Sequence, residues 1–376
     1  MYIKRTIEPK ILANLFKKSV IVIYGPRQAG KTTLVKKILE GQTGVPSKYL
    51  NCDEADIQKI LLEANTSTSL KQLIGEAKLV IIDEAQRVRN IGIKLKLLID
   101  NFPDTQIIAT GSSSFELANE VNEPLTGRSL EFWLHPLSTS EIYKKEDGLL
   151  FHRELETLLI FGSYPAVVTA PGLEEKKIAV SQISNNYLYK DLLKFQNLKS
   201  SEVVRKLLEA LALQIGNEVS YVELGQTIGV SKQTVESYID ILEKAFIIFK
   251  LGPFSRNLRN ELKKLRKIYF YDLGVRNSLI NNYNPLTLRN DIGALWENFV
   301  VAERKKQENF TGNRLSLYFW RTWEREEIDL IEEKGGKLAA YEIKRNKARA
   351  KPPKAWIQTY PDSTFHTITK DNYKLL

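Results

Sequence analysis

Residues 25–33, Gly25-Pro26-Arg27-Gln28-Ala29-Gly30-Lys31-Thr32-Thr33, carry the spacing G-x-x-x-x-G-K-[ST] without a gap. Glycines at both ends let successive backbone N–H groups turn inward around an anion, and a following helix adds its positive N-terminal end. Lys31 is then placed to reach terminal phosphates, and the Thr32 hydroxyl to ligate a divalent cation. A second polar pair, Asp83-Glu84, closes the apolar run Lys78-Leu-Val-Ile-Ile. Such a strand end delivers one acid to a metal, Asp83, and one to an attacking water, Glu84. The alternative for each motif is ordinary surface, a glycine-containing loop or solvated acids. Their occurrence together and in order favours a nucleoside triphosphate site, with ATP as ligand and Mg²⁺ as cofactor.

Two further groups are candidates for the same chemistry. The segment Thr110-Gly-Ser-Ser-Ser114 puts Ser112 or Ser113 where a polar side chain could sense the terminal phosphate or orient water, while Ser114 suits a helix N-cap. Arg128, in Leu125-Thr-Gly-Arg128, is a candidate for stabilising transferring-phosphoryl charge, in its own site or a neighbour's.

These residues need a scaffold. Short apolar runs at 20–24, 79–83 and 105–110 read as central strands of a parallel sheet covered by helices, and 32–39 has helical spacing. Ligands then belong at the C-terminal strand ends. From about residue 138 the pattern turns helical, punctuated by Gly162-Ser-Tyr-Pro165, with a long helical stretch through 187–194. Residues 219–250 read as helix, Gly-Val-Ser turn, helix. The last region returns to α/β: a helix at 295–306, strands at 316–319, 328–331 and 339–343, and a hairpin turn at Glu333-Lys-Gly-Gly336.

A chain of 376 residues exceeds one compact core. No stretch approaches the roughly 20 apolar residues of a membrane span, and the first residues lack the apolar core of a secretory signal. A lone cysteine, Cys52, and three histidines exclude a disulfide framework and disfavour structural zinc. The expected compartment is the cytoplasm, without membrane attachment. The net charge of +10 makes a nucleic acid partner plausible, without requiring one.

With these residues on the page, the chain resembles prokaryotic AAA-type ATPases of the archaeal-ATPase branch. The resemblance rests on residues 25–33, Ile82-Asp-Glu-Ala-Gln86, Thr110-Gly-Ser-Ser113 and Leu125-Thr-Gly-Arg128. Gly162-Ser-Tyr-Pro165, Tyr189-Lys-Asp191, Tyr269-Phe-Tyr-Asp272, Trp296-Glu-Asn298, Trp320-Arg321, Glu327-Ile-Asp329 and Glu342-Ile-Lys344 resemble that group's C-terminal domain of uncharacterised function. Ser163 departs from it, standing where a second glycine is common. The resemblance implies an AAA+-like ATPase, a winged helix and a terminal restriction-endonuclease-like fold, and no known substrate. The expected fold class is therefore α/β: a P-loop AAA+-type parallel-sheet domain at 1–137, a helical linker or lid at 138–200, a winged-helix domain at 201–285, and a nuclease-like α/β domain at 286–376.

Residues 221–235 have the form of a helix-turn-helix, with Leu224, Ile228, Val230, Val235 and Ile239 inside and Gly229 at the turn. Ser231 would cap the second helix and expose Lys232, Gln233, Thr234, Ser237 and Tyr238, positions from which recognition helices meet base edges. The same element serves elsewhere as a protein-contact scaffold, so both readings stand. In the last region, alternation places Glu342 and Lys344 on one face of a strand beside Asp329, and Glu297 on the preceding helix could join them. Two carboxylates can hold Mg²⁺ and a nearby lysine can activate water, the set used by restriction-type nucleases. The alternative is a solvated strand face. Arg321, Arg325, Lys344, Arg345, Lys347, Arg349 and Lys351 supply a basic neighbourhood suited to DNA phosphates. The partners expected are nucleic acid, DNA above all, or a protein, and a homo-oligomer is allowed.

Overall fold

The computed structural model describes residues 2–112, 124–143, 148–185, 201–254, 266–308, 315–322, 324, 326–346 and 349–373, except the side chains of 148, 149 and 308. The expected helix at 187–194, Ser113, Ser114, Tyr189, Asp191, Arg325 and Lys347 lie outside the described residues. The chain forms two compact units, Met1–Leu137 with Lys244–Phe246, and Ser138–Glu243 with Ile247–Leu376.

The first unit is built on five parallel strands: β1 (Val20–Tyr24), β2 (Ser47–Asn51), β3 (Leu79–Asp83), β4 (Gln106–Gly111) and β5 (Ser129–Trp133). Their order is β2-β3-β4-β1-β5. Every residue of β1, β3 and β4 is buried, as their uninterrupted β-branched runs require when helices cover both faces. The helix Lys31–Gly41 turns Leu34, Val35 and Ile38 inward, and the helix Ile91–Asn101 turns Ile91, Leu95, Leu98 and Ile99 inward. In a parallel sheet all C-terminal strand ends fall on one edge, which sets the place of the site.

The second unit contains β6 (Glu218–Val219), β7 (Ile248–Pro253), β8 (Arg266–Phe270), β9 (Ser316–Arg321), β10 (Glu327–Lys334), β11 (Lys337–Ile343) and β12 (Thr364–Ile368). They make one sheet in the order β12-β11-β10-β9-β7-β8-β6. One sheet therefore runs through both the 201–285 and the 286–376 regions. β7 runs on to Gly252 and Pro253, which pair in parallel with Tyr318 and Phe319 of β9. That pairing satisfies edge groups that two small separate sheets would leave open. The β10–β11 hairpin turns at Gly335 and Gly336, with φ of 57° and 78°, a two-residue turn that requires left-handed backbone. Phe254, Trp320, Ile328, Ile331, Leu338, Ala340 and Trp356 form the core beneath it.

Between the two motif-bearing halves of this unit lies a buried polar knot. Asp272 caps the helix Leu273–Leu279 through the Val275 N–H (3.1 Å) and accepts the Ser163 N–H (2.7 Å). Lys306 donates to Ser163 Oγ (3.1 Å) and pairs with Glu303 (2.7 Å), whose other oxygen accepts the Thr139 N–H (2.7 Å) and hydroxyl (2.9 Å). Gly162, at φ 79°, touches Asp272 so closely that a Cβ would strike its carboxylate. Nearby, Asp291 accepts from Arg276 (2.6 Å) and Arg289 (2.8 Å). Burial alone would raise the Asp291 carboxyl, but hydrogen bonds from Arg289 and Arg276 outweigh it and bring it to about 2.

Two outcomes follow. Gly162→Ala is expected to destabilise the protein by about 2–4 kcal/mol in urea unfolding, from strain and the clash with Asp272. For Asp291, the folded pKa is depressed below the ordinary 3.8, so its stabilisation is complete above that value and fades as pH falls towards 2. The stability gap between wild type and Asp291→Asn, read by denaturant titration, should therefore shrink between about pH 5 and pH 2.

Candidate functional site

The loop after β1 owes its path to close packing. A Cβ on Gly25 would strike the Leu134 carbonyl oxygen, and the Leu134 N–H donates to the Tyr24 carbonyl (2.7 Å). Arg5, 5% exposed, donates to the carbonyls of Ala29 and His135, both at 2.6 Å, and so clips the loop to the chain beyond β5. Gln28 (φ 61°) and Gly30 (φ 96°) take left-handed backbone, while Pro26 and Ala29 are buried, Arg27 is half-buried and Thr33 exposed. Gly30 starts the helix Lys31–Gly41 without a capping side chain, so the first-turn amides of Lys31, Thr32 and Thr33 face an anion site unblocked.

Lys31 is 4% exposed, donates to the carbonyls of Gly25 (2.9 Å) and Pro26 (3.1 Å), and lies 4.0 Å from Glu84. Burial lowers its pKa, and the Glu84 and Asp83 carboxylates oppose that shift. Asp83, at the end of β3, accepts hydroxyls from three elements: Thr32 (2.8 Å), Tyr49 of β2 (2.6 Å) and Thr110 of β4. The Tyr49 phenol is raised by burial and by its bond to Asp83, so it stays a donor. Thr110 also accepts the Glu84 N–H (3.1 Å). Glu84 sits at φ 54° and ψ 41°, a left-handed conformation that costs a non-glycine residue about 1 kcal/mol or more. Gln86 donates to both Glu84 (2.6 Å) and Ser112 Oγ (2.8 Å), joining the two. The neighbouring Cys52 is a buried thiol pushed up to about 12 by burial and nearby carboxylates, and so is inert at neutral pH.

The fold thus brings Lys31, Thr32, Asp83, Glu84 and Ser112 together. It does not bring Arg128. Register pairs Val20 with Ser129 and Tyr24 with Trp133, so Arg128 lies at the N-terminal edge of the sheet, about 20 Å of strand from the loop. There it pairs with Asp100 at 2.7 Å, and a role in its own site is excluded on geometry. Tyr49, Thr110 and Gln86 are the polar partners that motif spacing did not single out. Thr110 and Gln86 stood in quoted motifs without a role of their own, and Tyr49 lies in β2, a strand with no motif at all.

In the second unit, Lys232 and Gln233 are exposed at the start of the helix Lys232–Lys244. Thr234 is committed to its cap: its N–H donates to Ser231 Oγ (3.1 Å) and its hydroxyl shares a bond with it (2.9 Å). Tyr238, expected outside, is 4% exposed, because it falls on the Val235–Ile239–Leu242 face. Glu297, Asp329, Glu342 and Lys344 converge. Lys344 pairs with Glu342 (2.7 Å) and approaches Asp329 (4.0 Å), and Asp329 accepts the Ile343 N–H (2.7 Å). The β10 bulge between Ile328 and Ile331 lies at Asp329 and turns it towards this group. Glu297 accepts the Tyr269 hydroxyl (2.6 Å) and pairs with Lys267 (3.1 Å). Burial raises the carboxyls of Glu297, Asp329 and Glu342; Lys267 opposes the first two and Lys344 the third. Among the described residues no three His, Cys, Asp or Glu side chains are arranged to hold a metal ion.

Residues 17–143 match the family described as AAA domain. Residues 152–286 match a domain of unknown function, DUF8612, and 292–370 another, DUF4143. An uncharacterized protein of Mycobacterium tuberculosis is 27% identical over 345 residues, 91% of this chain and 74% of that protein. Another, from Methanocaldococcus jannaschii, is 24% identical over 404 residues, 98% of this chain and 88% of its own. The solved structure of a Walker-type ATPase of Pyrococcus abyssi is similar at TM-score 0.51 and 16% identity, across 74% of this chain and 96% of that one. The chain therefore carries an AAA-type P-loop domain, followed by helical and further sheet regions. No helix among the described residues is long and apolar enough to cross a membrane.

Tyr49→Phe removes a hydrogen bond to a buried carboxylate and is expected to cost about 1–2 kcal/mol in urea unfolding. Unchanged stability would show that the phenol does not hold Asp83.

Proposed function

We propose that this protein binds ATP with Mg²⁺ at residues 25–33, hydrolyses it, and uses the nucleotide state to control how its second unit engages DNA. The observation that carries the reading is the convergence of three hydroxyls on Asp83 beside the Lys31–Glu84 pair. Thr32 and Asp83 form an oxygen pair 2.8 Å apart, a donor set that suits Mg²⁺ and would hold it. When bound, the ion supplies neutralisation of phosphate charge. The amides of residues 30–33 and the Lys31 ammonium orient the phosphates. Glu84, gripped by Gln86, acts as the base that polarises the attacking water, with Ser112 as a second polar contact. Gln86 Oε1 is buried without a hydrogen-bond partner among the described residues, an acceptor beside Glu84 that suits that water. Arg128, exposed at the far edge, serves only a second copy of the chain, if any site.

DNA engagement is supported by the net charge of +10 and by the element order helix, strand, two helices and a strand pair from 201 to 270. That order suits a winged helix with Lys232 and Gln233 at the exposed start of its second turn-motif helix. One observation favours a protein partner instead. The exposed face of that helix balances Lys232 against Glu236, and Tyr238 is buried, so little of it is positive.

The decisive measurement is ATP hydrolysis by wild type and Glu84→Gln, with and without duplex DNA. Glu84→Gln is expected to retain nucleotide binding and lose about 10²-fold or more of the hydrolysis rate. Equal rates would remove Glu84 from the mechanism. Stimulation by DNA, with binding that weakens steeply in salt, supports the nucleic acid reading, whereas indifference to DNA transfers the output to a protein.

A further inference from the structure

The carboxylate group of the second unit has an occupant. Lys267, on β8, is 3% exposed and places its ammonium 2.6 Å from Glu327 and 3.1 Å from Glu297. The same Glu297 oxygen accepts the Tyr269 hydroxyl, and Glu327 is also approached by Arg321 at 3.9 Å. On the other side Lys344 holds Glu342, and the Ile343 N–H holds Asp329. Four carboxylates, Glu297, Glu327, Asp329 and Glu342, thus meet three cations, Lys267, Lys344 and Arg321. A nuclease of the kind that Asp329, Glu342 and Lys344 suggest needs its acids unneutralised and turned to one divalent ion. The donors here do not fit that ion as they stand, because one oxygen of each acid is already taken: Glu297 Oε1 and Glu327 Oε1 by the Lys267 ammonium, Asp329 Oδ2 by the Ile343 N–H, and Glu342 Oε1 by Lys344.

We infer that Lys267 stands in place of the divalent cation, so that this cluster binds no catalytic metal as built. The ammonium does structural work that a metal would otherwise do. It joins the helix Ile292–Glu308, which carries Glu297, to β8 and to β10 across the sheet. Arg321 of β9 extends the same network to Glu218 of β6 at 3.2 Å. Removing the positive charge leaves Glu297 without a cation, and Glu327 and Asp329 with only the more distant Arg321 (3.9 Å) and Lys344 (4.0 Å), which is the condition under which acidic groups recruit a divalent ion. The inference is independent of nucleotide chemistry and holds whether or not the first unit hydrolyses ATP.

The test uses the full chain without nucleotide and Mn²⁺ as the probe, followed by electron paramagnetic resonance. Wild type and Asp329→Asn are expected to bind Mn²⁺ alike, since any ion at Asp83 is common to both. Lys267→Met is expected to gain a site at least about 30-fold tighter than any in wild type. Asp329→Asn in that background should abolish the gain. A wild-type Mn²⁺ site lost in Asp329→Asn overturns the inference, as does a folded Lys267→Met that gains none. If Lys267→Met does not fold, the comparison of wild type with Asp329→Asn decides by itself.

Discussion

Three hydroxyls from three separate elements, Thr32, Tyr49 and Thr110, converge on the Asp83 carboxylate, and the first unit is organised around that convergence. A buried acid is tolerable only when its oxygens are satisfied, and here each bond also fixes a neighbouring element. Thr32 ties the helix after the phosphate loop to β3. Tyr49 ties the outer strand β2, and Thr110 ties β4 while receiving the Glu84 amide. The left-handed backbone at Glu84 follows, since the chain must leave β3 sharply to keep both acids at the same edge. Gln86 then has a fixed base from which to hold the Glu84 carboxylate.

The phosphate loop is constrained from the other side by packing alone. Gly25 lies against the Leu134 carbonyl, and Arg5 bonds Ala29 and His135 together. The loop's shape is therefore set before any ligand arrives, which is what an anion nest requires: amides already turned inward cost little to reorganise. Lys31 shows the accompanying tension, an ammonium deep in the protein that is disfavoured by burial and kept by carbonyls and nearby carboxylates.

The second unit solves a different problem. Its polar motifs, Gly162-Ser-Tyr-Pro165 and Tyr269-Phe-Tyr-Asp272, meet in a buried knot, where Asp272 caps one helix and accepts the amide after a left-handed glycine. That role is architectural and accounts for the company those residues keep without invoking catalysis. The carboxylate cluster on β10 and β11 reads like a metal site residue by residue, yet the charge that reaches it comes from β8, more than fifty residues earlier in the chain. A strand face that alternates correctly states which side chains point together and is silent on what points back at them.

Locally coded features were legible in the sequence by itself: the glycine spacing at 25–30, the apolar runs that became β1, β3 and β4, the acids closing β3, the Gly335-Gly336 turn and the Ser231 cap. Each is decided within a few residues by backbone sterics, hydrophobic period or a single side-chain-to-amide bond. What tertiary structure alone decided is non-local. Strand order β2-β3-β4-β1-β5 brings Tyr49 and Thr110 to Asp83, register sends Arg128 to the opposite edge, and β7–β9 pairing runs one sheet through the 201–285 and 286–376 regions. The same long-range pairing delivers Lys267 among acids that, judged from their own strands, looked ready for a metal. Sequence spacing carries periodicity along one element, and the meeting of different elements depends on pairing energies summed over the whole chain.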